Sequence, residues 1–183
     1  MSKALVYKQK IQSYDWEALK KLWIQIKKKK TEDWEVGKAF EYLILRAFEL
    51  NGADVKYPYT VSMFGKRIEQ IDGVVYFKHI SCIVEAKDYT ANLNIEPVAK
   101  LRNQLMRRPA TTIGSMFSSS GFTQIAVTLA MFTAPQTILL WEKEEMEYVL
   151  EQQNICEALV LKYRHCVETG VPNFDITNLN LKL

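Results

Sequence analysis

The chain has 183 residues, of which 48% are hydrophobic and 25% charged, with only 7 Gly and 5 Pro. These values exclude collagen-like, linker-rich and low-complexity proteins and predict one globular domain over residues 1–183. The 3 cysteines are far apart, no Cys-x-x-Cys occurs, and there are only 2 His. A structural zinc site is therefore not expected, and the pattern is typical of a reduced, intracellular protein.

Charge is distributed unevenly along the chain. Residues 1–30 contain 9 Lys against Asp15 and Glu17, a net charge of +7, whereas the remainder carries 15 Lys and Arg against 19 Asp and Glu, a net charge of −4. Two interpretations are open. This basic N-terminal helical extension is either an anion-binding arm or a solvated helix face, and charge alone favours the second.

Nothing in the sequence predicts a membrane segment or a targeting signal. Residues 1–10 lack the apolar stretch of a signal peptide. The longest apolar stretches, such as Ile125–Met131 and Ile138–Trp141, are too short to span a bilayer. We therefore expect a cytoplasmic protein without a membrane partner.

The apolar spacing predicts an α/β fold with a mixed β-sheet flanked by helices on both faces. The predicted elements, in chain order, are helices over 15–28 and 35–51, strands over 53–59, 67–77 and 80–87, a helix over 95–108, a strand over 111–117, a helix over 122–131, a strand over 137–141, and helices over 142–152 and 155–168. The apolar stripe of the second helix comprises Val36, Phe40, Leu43, Ile44 and Ala47. Residues 169–183 form a polar tail with weak strand character.

The segment from Glu69 to Lys87 has the pattern of a β-hairpin. A turn at Lys78-His79 places Asp72 directly opposite Glu85 and Gln70 opposite Lys87, on one face of the strand pair. The residues of the other face are almost all apolar and are expected to be buried; they are Ile71, Val75, Phe77, Ile80, Cys82, Val84 and Ala86, with Gly73. The hairpin therefore presents two carboxylates and an ammonium at one end of its polar face.

Two carboxylates this close require a shared proton or a cation. A Mg²⁺ ion, which prefers carboxylates, water and phosphate oxygens, satisfies both charges, and Lys87 can then act on a bound water or a phosphate. The alternative is that Glu85 and Lys87 form an exposed pair of little energetic value. The opposed Asp72 and the apolar reverse face favour the functional interpretation.

Two helices add further candidates. Glu41 lies beside the apolar stripe of the second helix, where it can reach the same metal or form a pair with Lys38, and the residues alone do not decide between these roles. On the helix over 95–108, Lys100, Gln104 and Arg107 share one face with Asn103. Donors on one face suit a phosphate backbone, although a solvated face has the same pattern.

Several motifs together resemble the PD-(D/E)XK nuclease superfamily, in its Mrr-like restriction endonuclease branch. They are Phe40-Glu41, Ile71-Asp72-Gly73, Val84-Glu85-Ala86-Lys87, and Ser119-Ser120-Gly121-Phe122-Thr123. The resemblance covers a nuclease core over 35–141 and leaves 1–30 and the C-terminal helices and tail over 142–183 unexplained. It implies a restriction-endonuclease-like fold. Ile71 replaces the Pro of the signature, and Glu85 stands where many Mrr-like members have Gln.

The resemblance also implies residue roles. Asp72 and Glu85 would hold Mg²⁺, for which Mn²⁺ is expected to substitute, Lys87 would serve the attacking water, and Glu41 would assist. We expect Glu41 to hold a second metal or an outer-shell water. From their shared helix face, and not from the resemblance, we expect Lys100, Gln104 and Arg107 to bind flanking phosphates. The expected function is metal-dependent hydrolysis of phosphodiester bonds in DNA. The alternatives are a junction-resolving nuclease, a nuclease subunit of a larger defence or repair assembly, or a non-catalytic DNA-binding module. No small-molecule cofactor is expected, and double-strand cleavage would favour a homodimer.

Overall fold

The computed structural model describes residues 3–178 and shows a central sheet between two layers of helices. In this described part the α-helices are α1 (Lys3–Gln12), α2 (Trp16–Lys27), α3 (Lys38–Leu50), α4 (Ile95–Leu105), α5 (Gln124–Met131), α6 (Lys143–Gln152) and α7 (Ile155–Thr169). The strands are β1 (Asp54–Lys56), β2 (Tyr59–Met63), β3 (Lys66–Ile71), β4 (Gly73–Phe77), β5 (Ile80–Lys87), β6 (Thr112–Ser118) and β7 (Ile138–Trp141). The α/β prediction with a mixed sheet is confirmed.

The main sheet has the strand order β1-β4-β5-β6-β7, in which β1, β4 and β5 are antiparallel neighbours and β5, β6 and β7 run parallel. Helices cover both of its faces. One face packs on α2, α3, α6 and α7 through residues such as Val75 and Val84. The other packs on α4 and α5 through residues such as Val74 and Ile83. No helix in residues 3–178 is both long and apolar enough to cross a bilayer.

The β4–β5 hairpin has the predicted register as far as its ladder extends, but the predicted pair of Asp72 with Glu85 lies beyond the end of that ladder. Phe77 pairs with Ile80 across the Lys78-His79 turn, and the ladder ends with Gly73 opposite Val84. Both faces of the pair are buried, because Val74 and Ile83 lie under α4 while Val75 and Val84 lie under α3. The sequence predicted only one buried face.

The predicted strand over 67–77 is wrong, because the chain changes sheet at Asp72. Residues before it form β3, which pairs with β2 in a separate two-stranded sheet, and residues after it form β4. Gln70 consequently pairs with Thr60 and does not pair with Lys87. Ile71 packs with the α4 layer, opposite to the layer of Val75, because the backbone turn at Asp72 breaks the alternation.

Three further predictions are corrected. The strand over 53–59 is split at Pro58 into β1 and β2, since proline supplies no N–H to a ladder. Val36 is 95% exposed and lies outside the helical stripe, because α3 begins only after Gly37, which has a left-handed φ of 81°. The sequence also missed α1, whose residues are mostly exposed and show no apolar stripe.

The C-terminal segment is held against α6 and α7 rather than forming a strand. Lys162, fully buried on α7, forms an ion pair with Glu145 and donates to the carbonyl oxygen of Phe174 at 2.5 Å. A short 3-10 helix follows over Ile176–Asn178. The rest of the predicted tail, residues 179–183, lies outside the described residues.

Candidate active site

The predicted acidic pair lies where β4 begins and β5 ends. Asp72 immediately precedes β4 and accepts a hydrogen bond from the Ala86 backbone N–H to its Oδ2 at 3.1 Å. Glu85 and Lys87, two positions apart on β5, project on the same side of the sheet. The Lys87 ammonium lies 2.6 Å from Glu85 Oε1 and 3.6 Å from Asp72 Oδ2. The hairpin therefore brings all three residues together.

Glu85 is completely buried, and its two oxygens have unequal environments. Both Lys87 and Lys100 donate to Oε1, each at 2.6 Å. The second oxygen, Oε2, is buried without a hydrogen-bond partner among the described residues. A buried carboxylate oxygen without a partner is costly in a folded protein. A cation at this position would satisfy it.

Glu41 reaches the site from α3, on the opposite side of the sheet from Lys100. Leu45, one helical turn after Glu41, packs directly against Gly73, and this contact sets the distance of α3 from Asp72. Glu41 is buried and accepts a hydrogen bond from Lys38 at 2.5 Å. The pair with Lys38 is therefore present, and Glu41 lies close enough to Asp72 for their charges to interact. A role of Glu41 in reaching the metal stays a prediction.

Burial and mutual repulsion shift the titration of the acidic groups. Burial, followed by the charge of Asp72, raises the pKa of Glu41 from 4.5 to about 7. Burial, followed by the charge of Glu85, raises the pKa of Asp72. Without a cation, the fold holds these carboxylates close together at a cost.

Lys87 is an ammonium ion at neutral pH in this arrangement. Burial acts to lower its pKa, but the carboxylates of Glu85 and Asp72 outweigh that effect and raise the pKa above its usual value. The group therefore supplies positive charge and hydrogen-bond donors to the site.

The site opens into a cleft of about 960 Å³. Its lining carries five cationic and four acidic side chains. The cations are Lys38, Arg67, Lys87, Lys100 and Arg107. These cations offer hydrogen-bond donors to a phosphate, although the acidic side chains nearly balance their charge.

The three predicted phosphate-binding residues have different environments. The Lys100 side chain is half exposed and donates to Glu85, and that of Arg107 is half exposed and forms an ion pair with Glu69 at 2.7 Å. Gln104 is 2% exposed and donates from Nε2 to the Gln70 carbonyl oxygen at 3.1 Å, attaching α4 to β3. A role of Gln104 in binding nucleic acid stays a prediction, and its buried position favours a structural one.

Sequence reasoning missed several cleft residues. Lys38 and Arg67 line the cleft, and Glu69 forms ion pairs with both Arg107 and Arg108. The sequence named Lys38 only as a possible partner of Glu41, at the i,i+3 spacing of helical neighbours, and did not place it in the cleft. Nothing local indicated Arg67 or Glu69, because the strand that carries them leaves the main sheet at Asp72.

The basic N-terminal extension is partly neutralised within the fold. Lys27 forms an ion pair with Glu147 at 2.9 Å, and Lys29 pairs with Asp88, the residue directly after Lys87. Lys28 and Lys30 are exposed. The extension therefore serves at least in part as a structural element, and its role as an anion-binding arm stays a prediction.

The residues present fit a divalent metal with oxygen ligands. Asp72 and Glu85 converge, and the orphaned Oε2 of Glu85 is available as a ligand. Within residues 3–178, no three acidic, histidine or cysteine side chains converge closely enough to hold one ion. A site built on two carboxylates would complete its coordination with water and phosphate oxygens, as Mg²⁺ prefers.

Comparison with known proteins agrees with this geometry. Residues 33–150 match the family Mrr_cat, described as restriction endonuclease. The match covers more than half of the chain and includes Glu41, Asp72, Glu85 and Lys87. The chain belongs to this family, and the class of protein that it defines is a nuclease with a restriction-endonuclease-like fold.

The other comparisons add little. No curated protein matches the chain significantly. The crystal structure of a protein of unknown function, AF1548, is similar at a TM-score of 0.46 and 15% identity, over 56% of this chain and 56% of that one. The chain thus spans just over half the length of that protein.

Proposed function

We propose that this protein is a metal-dependent endonuclease that hydrolyses phosphodiester bonds in DNA. The observation that carries the proposal is the unsatisfied Oε2 of the buried Glu85. Glu85 is joined through Lys87 to Asp72, and Lys87 and Asp72 both line the cleft. A restriction endonuclease domain implies DNA as its substrate. The residue types fit hydrolysis of a phosphate ester assisted by an oxygen-bound metal.

Asp72 and Glu85 would hold Mg²⁺, or Mn²⁺ in its place, with Glu41 as a further acidic group near Asp72. When bound, the metal would polarise the phosphate and lower the pKa of a water molecule. The two carboxylates contribute negative charge and a fixed position, since Asp72 is held by the Ala86 N–H. Glu41, with its pKa near 7, can accept or hold a proton close to neutral pH.

Lys87 orients the attacking water and stabilises the charge that develops on the phosphate. Its ammonium lies in contact with Glu85 and 3.6 Å from Asp72, so it is held between the two acidic groups. A donor fixed in place before the reaction needs no reorganisation as the charge forms. Because its pKa is raised by Glu85 and Asp72, Lys87 is a charged hydrogen-bond donor in the metal-free site.

Lys100 has a second position available to it. Its side chain is half exposed, and it donates to the same Glu85 oxygen that Lys87 uses. A cation bound by Glu85 would weaken this contact through charge repulsion. Lys100 would then be free to bind a backbone phosphate of the DNA in the cleft.

The test is cleavage of plasmid, linear and branched DNA, and of RNA, with Mg²⁺, with Mn²⁺ or with chelator. We expect DNA cleavage that requires the metal. Lys87→Ala should reduce the rate at least about 100-fold, since it removes a donor to the developing charge. Lys143→Ala, which removes a half-exposed lysine outside the cleft, is the matched control and should cut normally.

Metal binding, measured by calorimetry, separates the roles of the residues. Lys87→Ala should retain it, whereas Asp72→Ala should lose both metal binding and cleavage. Normal cleavage by Lys87→Ala would contradict the assignment of the site. Exclusive cutting of branched DNA would favour a junction-resolving enzyme, and DNA binding without any cleavage would favour a non-catalytic module. Sedimentation of the same protein tests the predicted homodimer.

A further inference from the structure

A two-stranded hairpin, β2–β3, stands beside the cleft and presents an apolar tip. Phe64 at the turn is 97% exposed, and Met63 and Ile68 near it are 53% and 47% exposed. Single exposed apolar side chains are ordinary, but three within six residues form a patch. The exposed phenylalanine is the most conspicuous apolar group at this end of the molecule.

The turn conformation makes a phenylalanine at this position costly. Phe64 and Gly65 form a two-residue loop closed by the Met63–Lys66 pair, and both have positive φ, 52° and 74°. Such loops favour Asn-Gly, because side chains other than Asn and Asp are strained in the left-handed region. Neither packing nor turn geometry therefore explains the phenylalanine, which points to a role outside the folded chain.

The base of the hairpin is firmly attached, so the tip has a defined position. Tyr59, Val61 and Ile71 pack in the apolar layer under α4. Gln104 donates to the Gln70 carbonyl oxygen, and Arg107 and Arg108 hold Glu69. A two-stranded hairpin is marginal on its own, and these contacts supply the support that it needs.

The surroundings of the tip are cationic and continuous with the cleft. Lys66 and Arg67 directly follow the turn, and Arg67 and Ile68 line the same cleft as Asp72 and Lys87. The ladder shifts register between Val61 and Ser62, which leaves Ile68 without a partner residue. Such bulges redirect side chains and are frequent beside active sites. An apolar tip with basic neighbours suits a polyanion with an apolar interior, which is the character of a DNA duplex.

We propose that the tip of the β2–β3 hairpin inserts Phe64 between adjacent base pairs of the DNA in the cleft and kinks the duplex beside the point of cleavage. The inference rests on the proposed function, since it requires DNA in the cleft. Met63 and Ile68 cover the opened base step, while Lys66 and Arg67 bind phosphates on either side. Apolar wedges flanked by cations unstack and bend DNA in this way.

The test uses a duplex that the wild-type protein cuts, with 2-aminopurine at successive positions and a fluorophore pair at its ends. Binding is measured in a Lys87→Ala background, so that the DNA stays intact. We expect 2-aminopurine fluorescence to rise at one step and the end-to-end distance to shorten. Phe64→Ala should abolish both signals and weaken binding by about fivefold or more, without changing the salt dependence.

Two further variants keep the result interpretable. Phe132→Ala removes a phenylalanine that is 76% exposed and outside the cleft, and it should behave as the parent protein. Phe64→Gly should have the same or a higher melting temperature, because glycine accepts the positive φ, and yet should lose the unstacking signal. That combination excludes misfolding as the cause.

Several outcomes would overturn the inference. If Phe64→Ala resembles Phe132→Ala in both fluorescence signals while the wild type still cuts DNA, Phe64 does not insert between base pairs, and the proposed function stands. Self-association or vesicle binding that depends on Phe64, with no unstacking, would assign the tip to a second copy or to a membrane. Failure of the wild type to bind or cut DNA would overturn the proposed function, and the wedge with it.

Discussion

Leu45 occupies the space that any side chain at position 73 would need, since a Cβ atom built on Gly73 would lie 2.3 Å from Leu45 Cδ2. This contact lets α3 lie directly on the start of β4. It also sets the position of Glu41 relative to Asp72, because Glu41 lies one turn before Leu45 on α3 and Asp72 directly precedes Gly73. The glycine of the Ile71-Asp72-Gly73 motif is therefore a packing requirement that positions two acidic groups.

Gly73→Ala should destabilise the protein by about 1–3 kcal/mol, the usual cost of overpacking. It should also reduce cleavage, because α3 must move away and carry Glu41 with it. Thermal unfolding and rate measurements check both effects. Leu45→Ala in the same chain is the control, since it removes the clashing methyl groups. If the loss of stability in the double variant equals the sum of the losses in the two single variants, the contact between position 73 and Leu45 is not the cause.

Glu41→Gln should stabilise the metal-free protein at high pH. Burial raises the pKa of Glu41 from 4.5 to about 7, so the folded state binds an extra proton between these values. The contribution of Glu41 to wild-type stability is therefore fully present below pH 4.5 and is lost as the pH rises through 7. The advantage of the glutamine should be near zero below that window and reach no more than about 3 kcal/mol above it.

Melting curves in chelator from acid to alkaline pH measure this advantage. Glu96→Gln, which alters an exposed acid in the same cleft, is the matched control and should show no such trend. A Glu41→Gln variant that is less stable than wild type at alkaline pH would show that the ion pair with Lys38 outweighs the burial of the charge.

Asp72→Asn should also melt higher than wild type in chelator at neutral pH. Burial and the charge of Glu85 raise the pKa of Asp72, and the neutral amide keeps an oxygen for the Ala86 N–H. The difference in melting temperature between the variant and wild type should shrink as the pH falls, because wild type then takes up a proton. It should shrink again with Mg²⁺, which would stabilise wild type by binding and the variant much less. A lower melting temperature for Asp72→Asn would mean that the contacts of the Asp72 carboxylate with Lys87 and the Ala86 N–H outweigh its repulsion from Glu85. Asp54→Asn on β1 controls for the amide itself.

Arg107 and Gln104 should respond differently to removal although both line the cleft. Gln104 is on α4, whereas Arg107 lies in the turn after α4 and not on the helix predicted over 95–108. Arg107→Ala should lower the log–log dependence of DNA affinity on salt by about 0.9, the value for one lost phosphate contact. Gln104→Ala should leave that slope unchanged and cost about 1–3 kcal/mol of stability, because the Gln70 carbonyl oxygen loses its donor. Filter binding at several salt concentrations and thermal melting check the pair. Equal slopes for wild type and Arg107→Ala would limit Arg107 to its ion pair with Glu69.

The geometry of the β4–β5 hairpin could be predicted from the sequence because it depends on neighbours. A two-residue turn at Lys78-His79 and the period of two along a strand determine the pairing, and the ladder from Gly73–Val84 to Phe77–Ile80 follows. The same rule places Glu85 and Lys87 on one side of β5, close to Asp72. These three residues are within sixteen positions of one another, so local spacing was sufficient.

Contacts between distant segments were decided only by the tertiary structure. The chain passes from one sheet to another at Asp72. No local pattern predicts this change, because the residues on both sides of Asp72 form strands. Glu41 and Lys100 reach the site from helices on opposite faces of the sheet. The thickness and twist of the sheet therefore set the distances of these side chains from Asp72 and Glu85. The helix α1 is another case, because its support comes from contacts such as Tyr7 stacked on Trp34.

The exposed tip at Phe64 shows the same division. Its apolar character is plain in the sequence, where Met63-Phe64 fits equally well in a buried strand. Only the folded chain shows that β2–β3 stands apart from the main sheet, with Phe64 in solvent and Arg67 in the cleft. Spacing along the chain determines which side of a strand a residue occupies. Whether that side meets protein or solvent depends on the packing of segments far apart in sequence, which is a property of the whole fold.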